Sequence, residues 1–246
     1  MFEPIQPGKN TTYEIIRQII DNIKSGDIKP GDALPTERSL SETFGISRPA
    51  VREAINALRV MNVIHSVHGG HNYISEDFRS SLVMPLGIIF RINNSNLFDA
   101  EQLRSALECR SAYLAAKNYK SSDKEGLTKI LDKWHRAKSL KQKQEFDQQF
   151  HLKIADISGN SMLYTTLSAS KEITDNIILS AYNIYSTKVD NDSAIAEQHD
   201  AILAAICNND PEKAEKAMRV HLDHTEHYIA MLSEAMSKYE FAALHA

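Results

Sequence analysis

The chain has 246 residues, 42% hydrophobic and 24% charged, which suits two modest domains, each with its own core. No run of about 18 apolar residues occurs, which excludes a membrane-spanning helix, and MFEPIQPGKN lacks the apolar centre of a signal peptide, so a cytoplasmic location is expected. Residues 1–75 hold eight basic and eight acidic side chains and the net charge of −4 falls on the remainder, so any nucleic-acid role rests on where the arginines sit rather than on their number.

In chain order, Thr11 and Glu14 predict a capping box for a helix bearing Ile16, Ile20 and Ile23, ended by Gly26. Pro30-Gly31 leads into LPTERSLSETFGISRPAVREAINALRV, residues 34–60, which reads as two short helices joined at Gly45. The first opens at Thr36, carries Arg38 outward and buries Leu40 and Phe44. Ser47 caps the second, whose apolar side is Val51, Ile55 and Leu58 and whose other side shows Arg48, Arg52 and Arg59. A helix-turn-helix puts the start of its second helix into the DNA major groove, so residues that read bases or phosphates belong there. Residues 63–75, VIHSVHGGHNYIS, form a β-rich run broken by Gly69-Gly70, a hairpin signal, and a hairpin in this place is a wing. His68 and His71 flank the glycines and are candidates for contact at its tip or for solvated turn residues.

After Ser75 the pattern predicts helices near 77–91, 96–118, 122–140, 142–158, 161–186, 193–208 and 211–240, and no strand: an all-α helical bundle. Residues 76–95 are the expected linker and first bundle helix, with Pro85 kinking or ending it, and 96–240 the bundle domain. Ser122 with Glu125 predicts a capping box, Gly159 a left-handed helix end, and Asp210-Pro211 a helix start. Lys138–Lys143 predicts a solvated loop. Cys109 and Cys207 are expected to be reduced core residues, and they supply no metal–cysteine pattern.

Asp147 and His151 are four residues apart in EFDQQFHLKIADISG, which on a helix places both on one face, where they can share a cation. His199 and His221 lie among apolar residues expected to face inward. His224 and His227 follow His221 at three-residue steps and are alternatives to it. Four nitrogen and oxygen donors on three helices suit Zn²⁺, Ni²⁺, Mn²⁺ or Fe²⁺, with Zn²⁺ placed first.

PGDALPTERSLSETFGISRPAVREAINALRVMNVI with its GG wing resembles the DNA-binding domain of the GntR family of bacterial transcription regulators, from about Tyr13 to Ile74. The resemblance implies DNA contacts from Arg38, Arg48 and Arg52, with backbone contacts at Thr36, Ser47 and the Gly69-Gly70 tip, beside which His71 is a further candidate from its place in the wing. His71-Asn72 departs from the small residues usual in that wing. Residues from about Leu97 to Met231 resemble the effector (FCD) domain of the FadR-type branch: AEQLRSALECRSAYLAA matches its first helix through Arg104 and Glu108, and FDQQFH, EQHDAILAAI and AMRVHL match its metal-ligand segments. The resemblance implies Asp147, His151, His199 and His221 as ligands of a divalent metal ion. It further implies a small organic-acid effector, with Arg104 pairing to the acid or else held by Glu101 or Glu108. The expected function is a homodimeric repressor on an inverted-repeat double-stranded operator, not an enzyme. The alternatives are an acyl-CoA-responsive regulator without metal, a helical-bundle metalloenzyme, and a purely structural cation.

Overall fold

The protein is described from a computed structural model covering residues 2–6, 8, 10–67, 71–93, 95–171 and 192–223. Contacts divide the chain between Met84 and Pro85 into two units.

The first unit begins with α1, Thr11–Ser25. Asn10, not Thr11, occupies its cap position, because Thr11 turns its hydroxyl back to bond the amide and carbonyl of Gly8, at 2.9 and 2.8 Å. The Thr11–Glu14 capping box is therefore not formed, and Glu14 instead pairs with Arg17 at 2.8 Å. The buried face of α1 is also one residue away from the expected one: Ile15 and Ile19 are fully buried, whereas Ile20 is 40% exposed. The doubled isoleucines offer two parallel stripes at helical spacing, and tertiary packing selects one. Phe2 closes the same core, its ring 5.2 Å from that of Phe44 in an edge-on contact.

The helix-turn-helix follows as α2, Glu37–Phe44, and α3, Arg48–Val60. The Thr36 hydroxyl accepts the amide of Ser39 at 3.2 Å, and Gly45 adopts φ +68°, a turn that a side chain would strain. Ser47 stands at the start of α3 without bonding it through its hydroxyl; Pro49 supplies the helix-ready backbone instead. β1, Ile64–Val67, pairs antiparallel with β2, His71–Ile74, in the register Ile64↔Ile74 and Ser66↔Asn72. Ile64 and Ile74 drive one face of this ribbon into the core formed by Leu40, Phe44, Val51, Ile55 and Leu58.

A 3₁₀ turn, Arg79–Leu82, runs into α4, Val83–Ile92. Pro85 is the third residue of α4, where its missing N–H lacks an intrahelical partner anyway, so it starts the helix rather than kinking it. The bundle continues with α5, Leu97–Asn118; α6, Ser121–Arg136; α7, Leu140–Ile157; α8, helical over 161–171; α9, Asp192–Cys207; and α10, helical over 211–223. The expectations for 172–186 and 224–240, including His224 and His227, lie outside the described residues. So do His68, Gly69 and Gly70.

Asp123, not Glu125, closes the box at the start of α6, receiving the Lys120 amide at 2.9 Å, so that helix starts one residue early. It also ends at Arg136, and the 138–143 charge cluster is only half loop: Ser139 accepts the Gln142 amide at 3.2 Å and starts α7 inside it. Gly159 has φ +70° and Asp210 accepts the Lys213 amide at 3.0 Å, as their sequence signals indicate. Ala112, Ala115 and Ala116 line one stripe of α5, packed in one core with Phe150 and Ile154 of α7 and Ile202 and Ile206 of α9. Small residues on α5 let the larger side chains interlock there, and each fully buried one contributes about 1.5–3 kcal/mol. Cys109 is buried in this core, and both cysteines are free thiols.

Candidate metal centre and nucleic-acid interface

Four side chains converge inside the bundle. Asp147 and His151 come from α7, His199 from α9 and His221 from α10, and one donor atom of each lies within 4.8 Å of the others. The Asp147 Oδ1 is 3.6 Å from His151 Nε2 and 3.1 Å from His199 Nε2. Donors bound to one ion at about 2.1 Å stand roughly 3–4 Å apart, so these separations fit a shared cation. His151, His199 and His221 are buried, and neither ring nitrogen of His151 or His199 forms a hydrogen bond of good geometry. Leaving buried ring nitrogens unsatisfied is costly, and a metal ion would satisfy one on each ring, the Nε2 atoms that face Asp147 being placed for it. The donor set passes that chemical test without a thiolate.

Neighbouring side chains hold the imidazoles in place. His199 sits edge-on to Trp134, ring centres 5.4 Å apart, and tilted against Phe150 at 5.0 Å. His221 Nδ1 meets Gln198 Oε1 at 3.0 Å. His151 Nδ1 closes on Glu108 Oε2, the carboxylate–imidazole arrangement that directs the opposite nitrogen toward a metal. Glu108 also accepts from Arg104 Nε at 2.8 Å, and Lys171 Nζ stands 3.8 Å from it. Arg104 Nη1 reaches Glu101 Oε1 at 3.3 Å. Both carboxylates flanking Arg104 in α5 therefore engage it, one turn to either side.

The charges are strongly coupled. Burial would raise the Glu108 carboxyl, but Arg104, His151 and Lys171 hold it well below the ordinary carboxylate range. Burial likewise opposes ionisation of Asp147, and the His151 and His199 rings outweigh it and keep it low. His151 is raised, because Glu108 and Asp147 overcome its desolvation. His221 is pushed well down by burial and then by His151. Burial raises Glu101. Sequence reading left Glu108 out of the centre itself, along with Lys171, Gln198 and Trp134. The Arg104–Glu108 spacing was visible, but the approach of Glu108 to His151 is a contact between helices with no local signature.

On the first unit, Arg38, Arg48 and Arg52 are all exposed, as are Thr36, Ser47 and His71. Arg38 pairs with exposed Glu42 at 2.9 Å, and exposed Arg52 pairs with half-buried Glu37 at 3.0 Å. Such pairs contribute about 0.2–1 kcal/mol and yield readily to a phosphate or a base edge. Arg59, on the same helix, behaves otherwise. Its nitrogens donate to Asn56 at 2.7 Å, Ser66 at 3.0 Å and Asn72 at 3.1 Å.

A helix-turn-helix with a following hairpin, in one chain with an all-helical unit, defines a two-domain DNA-binding regulator. Residues 11–74 match the model for bacterial regulatory proteins of the gntR family, and residues 99–224 match the FCD domain. The chain belongs to the GntR family of transcription regulators. It is 29% identical to the HTH-type transcriptional regulator LutR of Bacillus subtilis, over 83% of this chain and 94% of that one. It is 30% identical to the Glc operon transcriptional activator of Escherichia coli, over 85% of each. The solved structure of Streptococcus agalactiae GntR shares the fold, with a TM-score of 0.71 at 24% identity over 88% of this chain and 99% of that one. These relatives are regulators, not enzymes. No helix among the described residues is long and apolar enough to cross a membrane.

Proposed function

We propose that this regulator binds an inverted-repeat operator as a homodimer and that a small organic acid, bound at a divalent metal ion, controls its grip. Asp147, His151, His199 and His221 would hold the ion, Zn²⁺ first among the candidates. The observation that carries this reading is the convergence of those four donors in the bundle, with unsatisfied buried nitrogens on two of them. When bound, the ion supplies open coordination positions for a carboxylate and a neighbouring oxygen.

Charge supports an anionic effector. Among the described residues, Arg104 and Lys171 stand with Glu101, Glu108 and Asp147 around the donors, and a divalent ion would add two positive charges there. An anionic ligand at the ion would meet that added charge. Arg104 is assigned to the acid's far end, through guanidinium nitrogen beyond the Nε and Nη1 held by glutamates.

Arg38, Arg48 and Arg52 are assigned to operator contacts, with Thr36, Ser47, Gly69, Gly70 and His71 around them. Exposed Ile88, Ile89 and Ile92 on α4 support a partner subunit, since apolar faces of that kind are usually covered. Two-fold symmetry then pairs two half-sites. Repression is the proposed sign, because occupying an operator blocks transcription without a further contact surface. The site of action is the cytoplasm.

Thermal unfolding of zinc-loaded protein with lactate, glycolate, pyruvate or sugar acids tests the effector assignment. A saturating acid, at about 100 times its Kd, adds about 2.7 kcal/mol and raises Tm by several degrees. Chelated protein is expected to lose that acid response. An equal response in both forms would place the acid away from the ion.

A further inference from the structure

The inner face of the β1–β2 ribbon changes character along its length. Ile64 and Ile74 form one cross-strand pair of that face and are buried in the core. Two residues further out, the same face carries the pair Ser66↔Asn72. There the ribbon has left the apolar core, and Arg59, in the last turn of α3, takes over the contact. Its Nε donates to Ser66 Oγ at 3.0 Å and its Nη2 to Asn72 Oδ1 at 3.1 Å. The Ser66 hydroxyl closes the triangle by donating to Asn72 Oδ1 at 2.7 Å. Nη1 is engaged as well, by Asn56 at 2.7 Å, so all three nitrogens bond within the domain. Asn72 is also fixed through its backbone, where its carbonyl accepts the Leu34 amide at 2.8 Å. A small residue at 72, usual in the resembled wing, would leave the guanidinium without its second strand.

We propose that Arg59 is a positioning residue that sets the angle between the recognition helix and the wing, so that contact of the wing with DNA depends on Arg59 although Arg59 touches no nucleotide. The inference rests on the operator-binding reading. The arginines of α3 then have separate roles, with Arg48 and Arg52 facing the duplex while Arg59 braces the hairpin. A planar fork is required, because only a guanidinium spans both strands while also reaching its own helix.

The test uses the full chain and a duplex selected from a random-sequence library by the wild-type protein. Hydroxyl-radical footprinting with Arg59→Ala is expected to retain the central protection from the recognition helix and lose the flanking protection from the wing. Affinity should fall about tenfold, the scale of one or two net hydrogen bonds. The salt slope should stay that of the wild type, since residues 63–75 of the wing carry no lysine or arginine and Arg59 itself neutralises no phosphate. Asn72→Ala should give the same footprint, and adding it to Arg59→Ala should cost nothing further. Arg59→Lys keeps charge and stem but not the fork, and should behave like alanine; it also covers the case in which alanine fails to fold. Wild-type binding by the lysine variant, or a salt slope reduced by about 1.8 in the alanine variant (about 0.9 for each half-site), would identify a direct phosphate contact and overturn the inference. A wild-type chain that enriches no sequence would instead overturn the operator reading, and this inference with it.

Discussion

Purified full chain is expected to carry about one divalent ion per chain, and His199→Ala to carry almost none. His199 is fully buried, its Nε2 faces Asp147 at 3.1 Å, and Trp134 and Phe150 leave its ring little freedom to be replaced by another donor. Glu108→Gln keeps all four ligands but weakens the carboxylate that holds His151, and should lower metal affinity by about 10–100-fold. Acid should release the ion, because protons compete for the ligands. The sign follows from His151: Glu108 and Asp147 raise it in the metal-free protein, so competition begins above the ordinary imidazole pKa of about 6.5 as pH falls. His221, held well down, is already neutral there and adds little to that release. Elemental analysis across pH reads all three. Equal metal in the wild type and His199→Ala would move the ligand set elsewhere.

Arg52→Ala is expected to abolish sequence-specific retardation of a selected duplex while leaving the thermal unfolding curve in place. The side chain is 62% exposed and its ion pair with Glu37 lies at the surface, so the fold loses little. A bidentate arginine–guanine contact discriminates by about 1–3 kcal/mol, and a two-fold symmetric complex loses it at both half-sites. Residual binding should be the salt-sensitive kind that ignores sequence. Unchanged affinity for the selected duplex would remove α3 from its assigned role.

Much of this architecture is legible because its signals are local. Thr36, Gly45, Gly159 and Asp210 each satisfy a backbone demand within a few residues, and each stands where its chemistry indicates. Errors arise where two local solutions compete. Asn10 and Thr11 both offer caps, and the doubled isoleucines of α1 offer two faces; only packing against Phe44 and Leu58 chooses. The charge-rich 138–143 segment reads as loop by composition, but Ser139 starts a helix inside it. The metal candidates were readable in part, since Asp147 and His151 share a helix face and His199 and His221 lie among apolar residues, while choosing His221 over His224 and His227 needed the resemblance. Glu108 beside His151 and Arg59 across the hairpin are contacts between elements, and no spacing rule announces them.

The measurement that bears most directly on the central claim is the affinity of zinc-loaded full chain for a labelled selected duplex, titrated with the acid that shifts its Tm. Coupling between the two sites predicts a change in Kd of about 5–150-fold, lost on chelation and in His199→Ala. An acid that stabilises the protein at its metal ion yet leaves duplex affinity unchanged would contradict the account.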